Sequence, residues 1–327
     1  MRALVTGGAG FVGAQLCRYL VESGDAVAVF IQPSDDDAAI RPLGQRLTTF
    51  LGDIRSASSV DDAIASFQPD VVFHLAGMSF VPDGERSPDL LLSTNLTGTI
   101  HVAESVLRRA ARARLVFAGS GEVYGPMSAD DPPASEDRAP APVTLYAHSK
   151  WFAERMLEHL RLRRGLNVVT LRLFNHIGPG QSPRFSVASF ADQLRRIRDD
   201  VLEPVIRVGN LEARRDFTDV RDVLRAYRQA ATASDPPSIL NIASGWDLSL
   251  GEVLRRLIEL SGLPVRVEVD PERLRPSDVS RLVGSAELAR QHLGWSPDFG
   301  LDETLRDLLN PENTVEKPPS GNSTKSP

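Results

Sequence analysis

Apolar runs of about five to seven residues alternate with longer amphipathic stretches through the first half of the chain. Ala3-Leu4-Val5, Ala26–Ile31, Leu47–Leu51, Pro69–Leu75, Arg114–Ala118 and Asn167–Leu173 read as strands. Most of these runs are apolar throughout rather than alternating, which suits a sheet covered on both faces. Between them Phe11, Val12, Leu16, Leu20 and Val21 recur at helical spacing, and Ser59–Phe67, Ser87–Arg112 and Leu145–Arg164 read as further helices. Strands alternating with helices predict an α/β fold with a doubly wound parallel sheet. The polar punctuation falls at the carboxyl ends of the strands, where such sheets bind ligands.

The pattern changes after Phe174. Asn175–Arg184 is rich in Gly and Pro and reads as a loop. Ser186–Asp199, Val220–Thr232, Leu250–Leu260, Ser285–Leu293 and Asp302–Leu309 read as helices, with strands at Pro204–Val208, Ser238–Ala243 and Val265–Val269. We expect residues 1–174 to form one domain, with 210–235 packing back on it. Residues 175–310 then form mainly a smaller α/β substrate domain, and 311–327, almost without apolar residues, a disordered tail.

The first turn, Thr6-Gly7-Gly8-Ala9-Gly10-Phe11-Val12-Gly13, joins a strand to a helix. Glycines there permit a tight turn and let a pyrophosphate reach the backbone, while the helix N-terminus presents free N–H groups and a positive dipole end. Gly8, Gly10 and Gly13 satisfy G-x-G-x-x-G, and Gly7, Gly10 and Gly13 keep a spacing of three. The turn predicts a Rossmann-type dinucleotide site.

Composition narrows the function classes. The 327 residues carry a net charge of −6, which offers no nucleic-acid surface. No apolar run reaches the roughly 18 residues of a membrane span. With a strand read as beginning beside Met1, no signal peptide is expected. The single cysteine, Cys17, lies among apolar helix neighbours and fits a reducing, cytoplasmic setting. His74, His148 and His176 lack the spacing of a zinc site, so no metal is expected.

Tyr146 and Lys150, four apart, share a helical face. A lysine ammonium beside a phenol favours the phenolate, so the tyrosine is expected to ionise below its ordinary value and pass protons near neutral pH. Ser120 ends the preceding strand.

Thr6-Gly7-x-x-Gly10-x-x-Gly13, Asp53-Ile54, His74-Leu75-Ala76-Gly77, Asn95, Ser120-Gly121-Glu122-Val123-Tyr124-Gly125 and Tyr146-x-x-x-Lys150 together resemble the extended short-chain dehydrogenase/reductase family, whose members act on nucleotide-linked sugars. The resemblance spans nearly all of residues 1–310. It implies that Gly7, Gly10, Phe11, Val12 and Gly13 hold the cofactor pyrophosphate, and that Asp53 and Ile54 meet the adenine. Leu75, Ala76 and Gly77 complete the cofactor path, Lys150 holds the nicotinamide ribose, and Ser120 and Tyr146 work on the group that exchanges hydride.

The segments Leu173–Gln181 and Val208–Asp222 resemble those of GDP-4-keto-6-deoxy-D-mannose reductases, and Arg275-Pro276-Ser277-Asp278 matches their C-terminal element. The resemblance implies a GDP-sugar substrate reduced at its C4 keto group to GDP-D-rhamnose, contacted by Ser120, Asn175, Arg184, Val187, Arg215, Arg275 and Asp278. Guanidinium forks suit a diphosphate; the competing role for Arg215 is an ion pair with Asp216 or Asp219. Glu122 keeps a 4,6-dehydratase open, since those relatives use a carboxylate at that place. A 4-epimerase and a non-catalytic cofactor-binding protein stay open beside it.

The second strand ends Phe30-Ile31-Gln32-Pro33 with neither an acid at its tip nor an obvious arginine for a 2′-phosphate, although Arg41 is a candidate to reach back; for a reductase NADP(H) is expected slightly ahead of NAD(H), with use of both open. Trp151, Phe152, Met156, Leu157 and Leu160 cannot all face one sheet. In the family the matching helices pair across a two-fold axis, which implies a homodimer.

Overall fold

The computed structural model describes residues 1–274 and 279–313. In chain order the first half is β1 (Arg2–Thr6), α1 (Phe11–Glu22), β2 (Ala26–Ile31), β3 (Leu47–Leu51), α2 (Ala57–Phe67), β4 (Val71–His74), α3 (Val81–Arg86), α4 (Pro88–Leu92), α5 (Gly98–Arg109), β5 (Arg114–Ser120), α6 (Leu145–Arg164) and β6 (Val168–Leu173). The second half adds β7 (Asn175–Ile177), α7 (Ser186–Arg198), β8 (Val205–Val208), β9 (Arg214–Arg215), β10 (Phe217–Asp219), α8 (Val220–Thr232), β11 (Ile239–Ile242), β12 (Leu248–Ser249), α9 (Leu250–Ser261), β13 (Arg266–Val269), β14 (Arg281–Leu282), α10 (Glu287–Leu293) and α11 (Leu301–Leu309).

The main sheet has seven parallel strands in the order β11-β6-β5-β4-β1-β2-β3. Its central strands are buried on both sides, which is why their sequences are apolar without alternation. One face packs on α1 and α8 through residues such as Val5, Val29, Leu16, Val223 and Tyr227. The other packs on α2, α5 and α6 through Leu4, Ile64, Val102 and Leu157. The seventh strand, β11, comes from beyond residue 174, and the buried Trp295 also packs on the α1 face. The chain therefore returns to the first sheet after building part of the second half.

That second half has its own apolar core between α7, α9, α11 and β8. Asp216 links it back to the β11 side. Its carboxylate accepts from the Ser244 backbone N and hydroxyl at 2.7 Å each and from Gly245 N at 2.8 Å. Burial lifts its pKa to about 6 despite these donors.

Two sequence expectations change. The helix read as Ser87–Arg112 starts at Pro88, ends at Arg109 and carries a π-helical turn at Ser93–Thr97. That turn brings Asn95 inward. Its amide donates to the Met78 carbonyl at 3.0 Å and to Ser149 Oγ at 2.9 Å, and its carbonyl oxygen accepts from Met78 N at 2.8 Å. Such wide turns recur at functional sites. Second, the loop read from Asn175 begins as β7, which pairs in parallel with β10, because Ile177 is drawn into the second core. The expected tail 311–327 lies outside the described residues from 314 onward. Among the described residues no helix is long and apolar enough to cross a membrane.

Candidate active site

The carboxyl ends of the sheet strands open into a cleft of about 750 Å³. Gly7, Gly10, Phe11, Val12 and Gly13 form one wall. Gly7 has φ of +71°, and a Cβ there would lie 2.7 Å from the Ala76 backbone nitrogen. A Cβ on Gly13 would lie 2.2 Å from the Gly7 carbonyl oxygen. Gly8 is needed for a different reason: its Cβ would collide with Val29 Cγ2 at 2.0 Å, inside the core. The two overlapping glycine patterns are thus separated, with the spacing of three facing the cleft. No side chain caps α1 at Gly10, so the first-turn N–H groups remain available to an anion. This cradle fits a pyrophosphate.

β7 and the loop after it close over that wall. His176 stacks on Phe11 with centroids 6.1 Å apart, Gln15 donates to the Pro179 carbonyl at 3.0 Å, and Gln181 donates to the His176 carbonyl at 3.0 Å. At the far end Gln32, Asp35, Asp36, Gly52, Ile54 and Arg55 line the cleft. Asp53 is turned to Arg55, with their ion pair at 2.5 Å. Arg41 does not reach this end: it pairs with Asp37 at 2.5 Å on an exposed turn. An ion-pair partner one helical turn away outcompetes a distant cleft.

Leu75, Ala76 and Gly77 lead to the other end, where Ser120, Glu122, Tyr146 and Lys150 meet. Thr144 caps α6 by accepting from Ala147 N at 3.0 Å, and Ser120 caps the following turn by accepting from Glu122 N at 3.1 Å. These caps hold both side chains at element starts. Ser120 lies close enough to the Tyr146 phenol to favour its charged form. Lys150 Nζ donates to the Ala118 carbonyl at 2.8 Å.

The expectation that Lys150 makes Tyr146 more acidic is corrected. Burial first, then the Glu122 carboxylate, raise the Tyr146 pKa well above its ordinary value, against a smaller opposing effect of Ser120. Lys150 is itself lowered to about 8 by burial. Desolvation is the leading cause at both groups.

The expected substrate residues are more scattered. Asn175 lines the cleft. Arg184 does not line the cleft, although its neighbour Phe185 does; it pairs with Asp83 at 2.5 Å and lies 4.0 Å over the Phe80 ring. Val187 is buried in the second core. Arg215 lies on β9 and donates to the Arg214 carbonyl at 2.9 Å. Its two suggested carboxylate partners are engaged elsewhere, Asp216 by the donors above and Asp219 by Arg221 at 2.8 Å. Arg275 and Asp278 lie outside the described residues.

Thr94, Phe185 and Tyr227 also line the cleft, and no local motif marks them. His74 is fully buried between Thr6 Oγ1 at 2.7 Å and Thr99 Oγ1 at 2.9 Å. Among the described residues no cluster of three or more His, Cys, Asp or Glu could hold a metal. Burial pushes the Cys17 thiol up to about 12, which makes it a packing residue.

Relatives share this architecture along their length. The GDP-6-deoxy-D-mannose reductase of Pseudomonas aeruginosa is 31% identical, with 94% of this chain and 96% of that protein covered. The structure of RMD from Pseudomonas aeruginosa complexed with NADPH superposes with a TM-score of 0.82 at 30% identity, covering 94% of this chain and 97% of that one. UDP-glucose 4-epimerase from Thermotoga maritima with UDP-glucose gives 0.86 at 28% identity, with 94% and 97% covered. The family model for GDP-mannose 4,6 dehydratase matches residues 4–308, and the chain belongs to that family of extended short-chain dehydrogenases/reductases.

Proposed function

We propose that this chain is a cytoplasmic NAD(P)H-dependent reductase of nucleotide-linked ketosugars, converting GDP-4-keto-6-deoxy-D-mannose to GDP-D-rhamnose. The observation that carries the reading is the convergence of Ser120, Tyr146 and Lys150 with the uncapped glycine turn in one cleft. The likeness to the Pseudomonas reductase over nearly the whole chain supports the GDP-sugar.

In this reading the turn at Gly7, Gly10 and Gly13 holds the pyrophosphate, with Phe11 and Val12 contributing first-turn N–H groups. Asp53 and Ile54 receive the adenine, Leu75 to Gly77 flank the dinucleotide, and Lys150 takes the nicotinamide ribose. When bound, NAD(P)H supplies hydride to the sugar C4. Tyr146 gives its proton to the developing C4 alkoxide, and the Ser120 hydroxyl hydrogen-bonds the same oxygen. A phenol held above its ordinary pKa keeps that proton at neutral pH, which suits the acid role of a reduction. Asn175 and Arg215, with Arg275, bind the sugar nucleotide's diphosphate; Arg184, Val187 and Asp278 complete the substrate contacts.

A 4,6-dehydratase is the second reading. Glu122 favours it, because its carboxylate lines the cleft and acts on Tyr146. Two copies are proposed to pair through the outer face of α6, where Leu96, Phe152, Met156 and His159 line a shallow apolar depression. Sedimentation showing monomer alone at micromolar concentration refutes that pairing.

The test of function is a panel of GDP-, UDP-, dTDP- and CDP-sugars with purified protein. NADPH oxidation only with the GDP-4-ketosugar supports the reductase. Turnover of GDP-mannose without added cofactor supports the dehydratase.

A further inference from the structure

Tyr227 stands in the middle of α8, fully buried, with its ring edge-on to Phe73 at 6.0 Å. Its hydroxyl has no hydrogen-bond partner among the described residues. The same residue lines the cleft, together with Ala118, Leu173 and Tyr146. Buried hydroxyls are paired in nearly all proteins, because an unpaired one loses its water contacts without replacement. Phenylalanine would fill this core position without that cost. The bare fold therefore gains nothing from the oxygen.

We infer that the Tyr227 hydroxyl is a hydrogen-bonding contact for the nicotinamide half of the bound dinucleotide, offered from the floor of the cleft. This rests on the reading of the cleft given above. Two further observations agree with it. Tyr227 and Tyr146 are close enough to interact electrostatically, so the hydroxyl lies toward the end where the hydride is exchanged. Burial also holds its pKa above the ordinary value, so the group stays a neutral O–H donor, matched to the carboxamide oxygen of the nicotinamide, which ADP-ribose lacks. It acts as a positioning residue, setting the ring beside Tyr146.

Tyr227→Phe tests the assignment in the full chain. Calorimetry would measure binding of NADH, of NADPH and of ADP-ribose, which lacks the nicotinamide, alongside the melting temperature of the ligand-free protein. We expect the ligand-free melting temperature to hold or rise and ADP-ribose affinity to stay within about twofold. Binding of whichever dinucleotide the wild type prefers should weaken about five- to tenfold. Unchanged dinucleotide affinity overturns the inference, as does an equal loss for ADP-ribose. A lower ligand-free melting temperature also overturns it, since the hydroxyl would then serve the fold. Failure of the wild type to bind either dinucleotide instead overturns the reading of the cleft itself.

Discussion

Lys150 Nζ donates to the Ala118 carbonyl oxygen at 2.8 Å while lying 5.0 Å from the centre of the Phe117 ring. A backbone carbonyl and an aromatic face are modest compensation for removing an ammonium from water, and its pKa falls to about 8. The unfolded chain binds that proton more tightly. Lys150 therefore destabilises the ligand-free fold at neutral pH, and the penalty fades as pH rises from about 8 toward the unfolded value of about 10.4. Lys150→Met is expected to hold or raise the melting temperature at pH 7, with the advantage shrinking by pH 10, while activity falls by roughly a hundredfold or more. Scanning calorimetry at the two pH values checks the sign; a clear drop at pH 7 means the contacts outweigh desolvation.

Tyr146→Phe removes the proposed acid without changing the ring. The expected result is a fall in kcat of about 10² to 10⁴ with dinucleotide affinity retained. Single-turnover kinetics would separate the two, and unchanged turnover removes Tyr146 from the chemistry.

Glu122 raises the Tyr146 pKa, so Glu122→Gln should lower it. Where the phenol is the acid, the alkaline loss of kcat moves to lower pH in the variant. A pH–rate profile with the alkaline limb unmoved would remove Glu122 from control of that proton.

His74 is held neutral, its pKa lowered to about 3 chiefly by burial and further by Lys150. In the unfolded chain it takes a proton near its usual value of about 6.5. Its stabilising effect is complete above that pH and is lost as pH falls toward 3. At pH 4.5 the loss is on the order of 3 kcal/mol. Urea titrations at pH 7 and 4.5 should show a smaller difference for His74→Gln than for the wild type.

Glu154 and Arg172 form a buried bidentate pair, with oxygens 3.0 and 2.5 Å from the guanidinium nitrogens. Arg172 also donates to the Tyr124 hydroxyl at 2.7 Å, which in turn donates to Asn241 at 2.8 Å. The network joins α6, β6, the turn after β5 and β11. Glu154→Gln leaves a buried guanidinium without its counter-charge and should cost about 3–5 kcal/mol in denaturant unfolding.

Local regularities carried most of the architecture. The apolar runs that became β1 to β6 could be read because a strand buried on both faces needs no alternation, and α6 and α8 kept their limits because a cap and a stop signal flank them. The glycine-rich turn and the shared helical face of Tyr146 and Lys150 were legible because each is a short-range pattern. Gly7 and Gly8 could not be told apart, since one clashes with Ala76 and the other with Val29, both distant in sequence.

The amino-acid order by itself determined the kind of fold, the glycine turn between β1 and α1 and the helical spacing of Tyr146 and Lys150. Tertiary structure alone decided the direction of the Tyr146 pKa shift, the inward turn of Asn95 and the arrival of Tyr227 at the cleft floor. Periodicity and capping act within a few residues and can be read along a line. Desolvation, charge proximity and hydrogen-bond satisfaction depend on which remote segments come together, and only the packed chain supplies those neighbours.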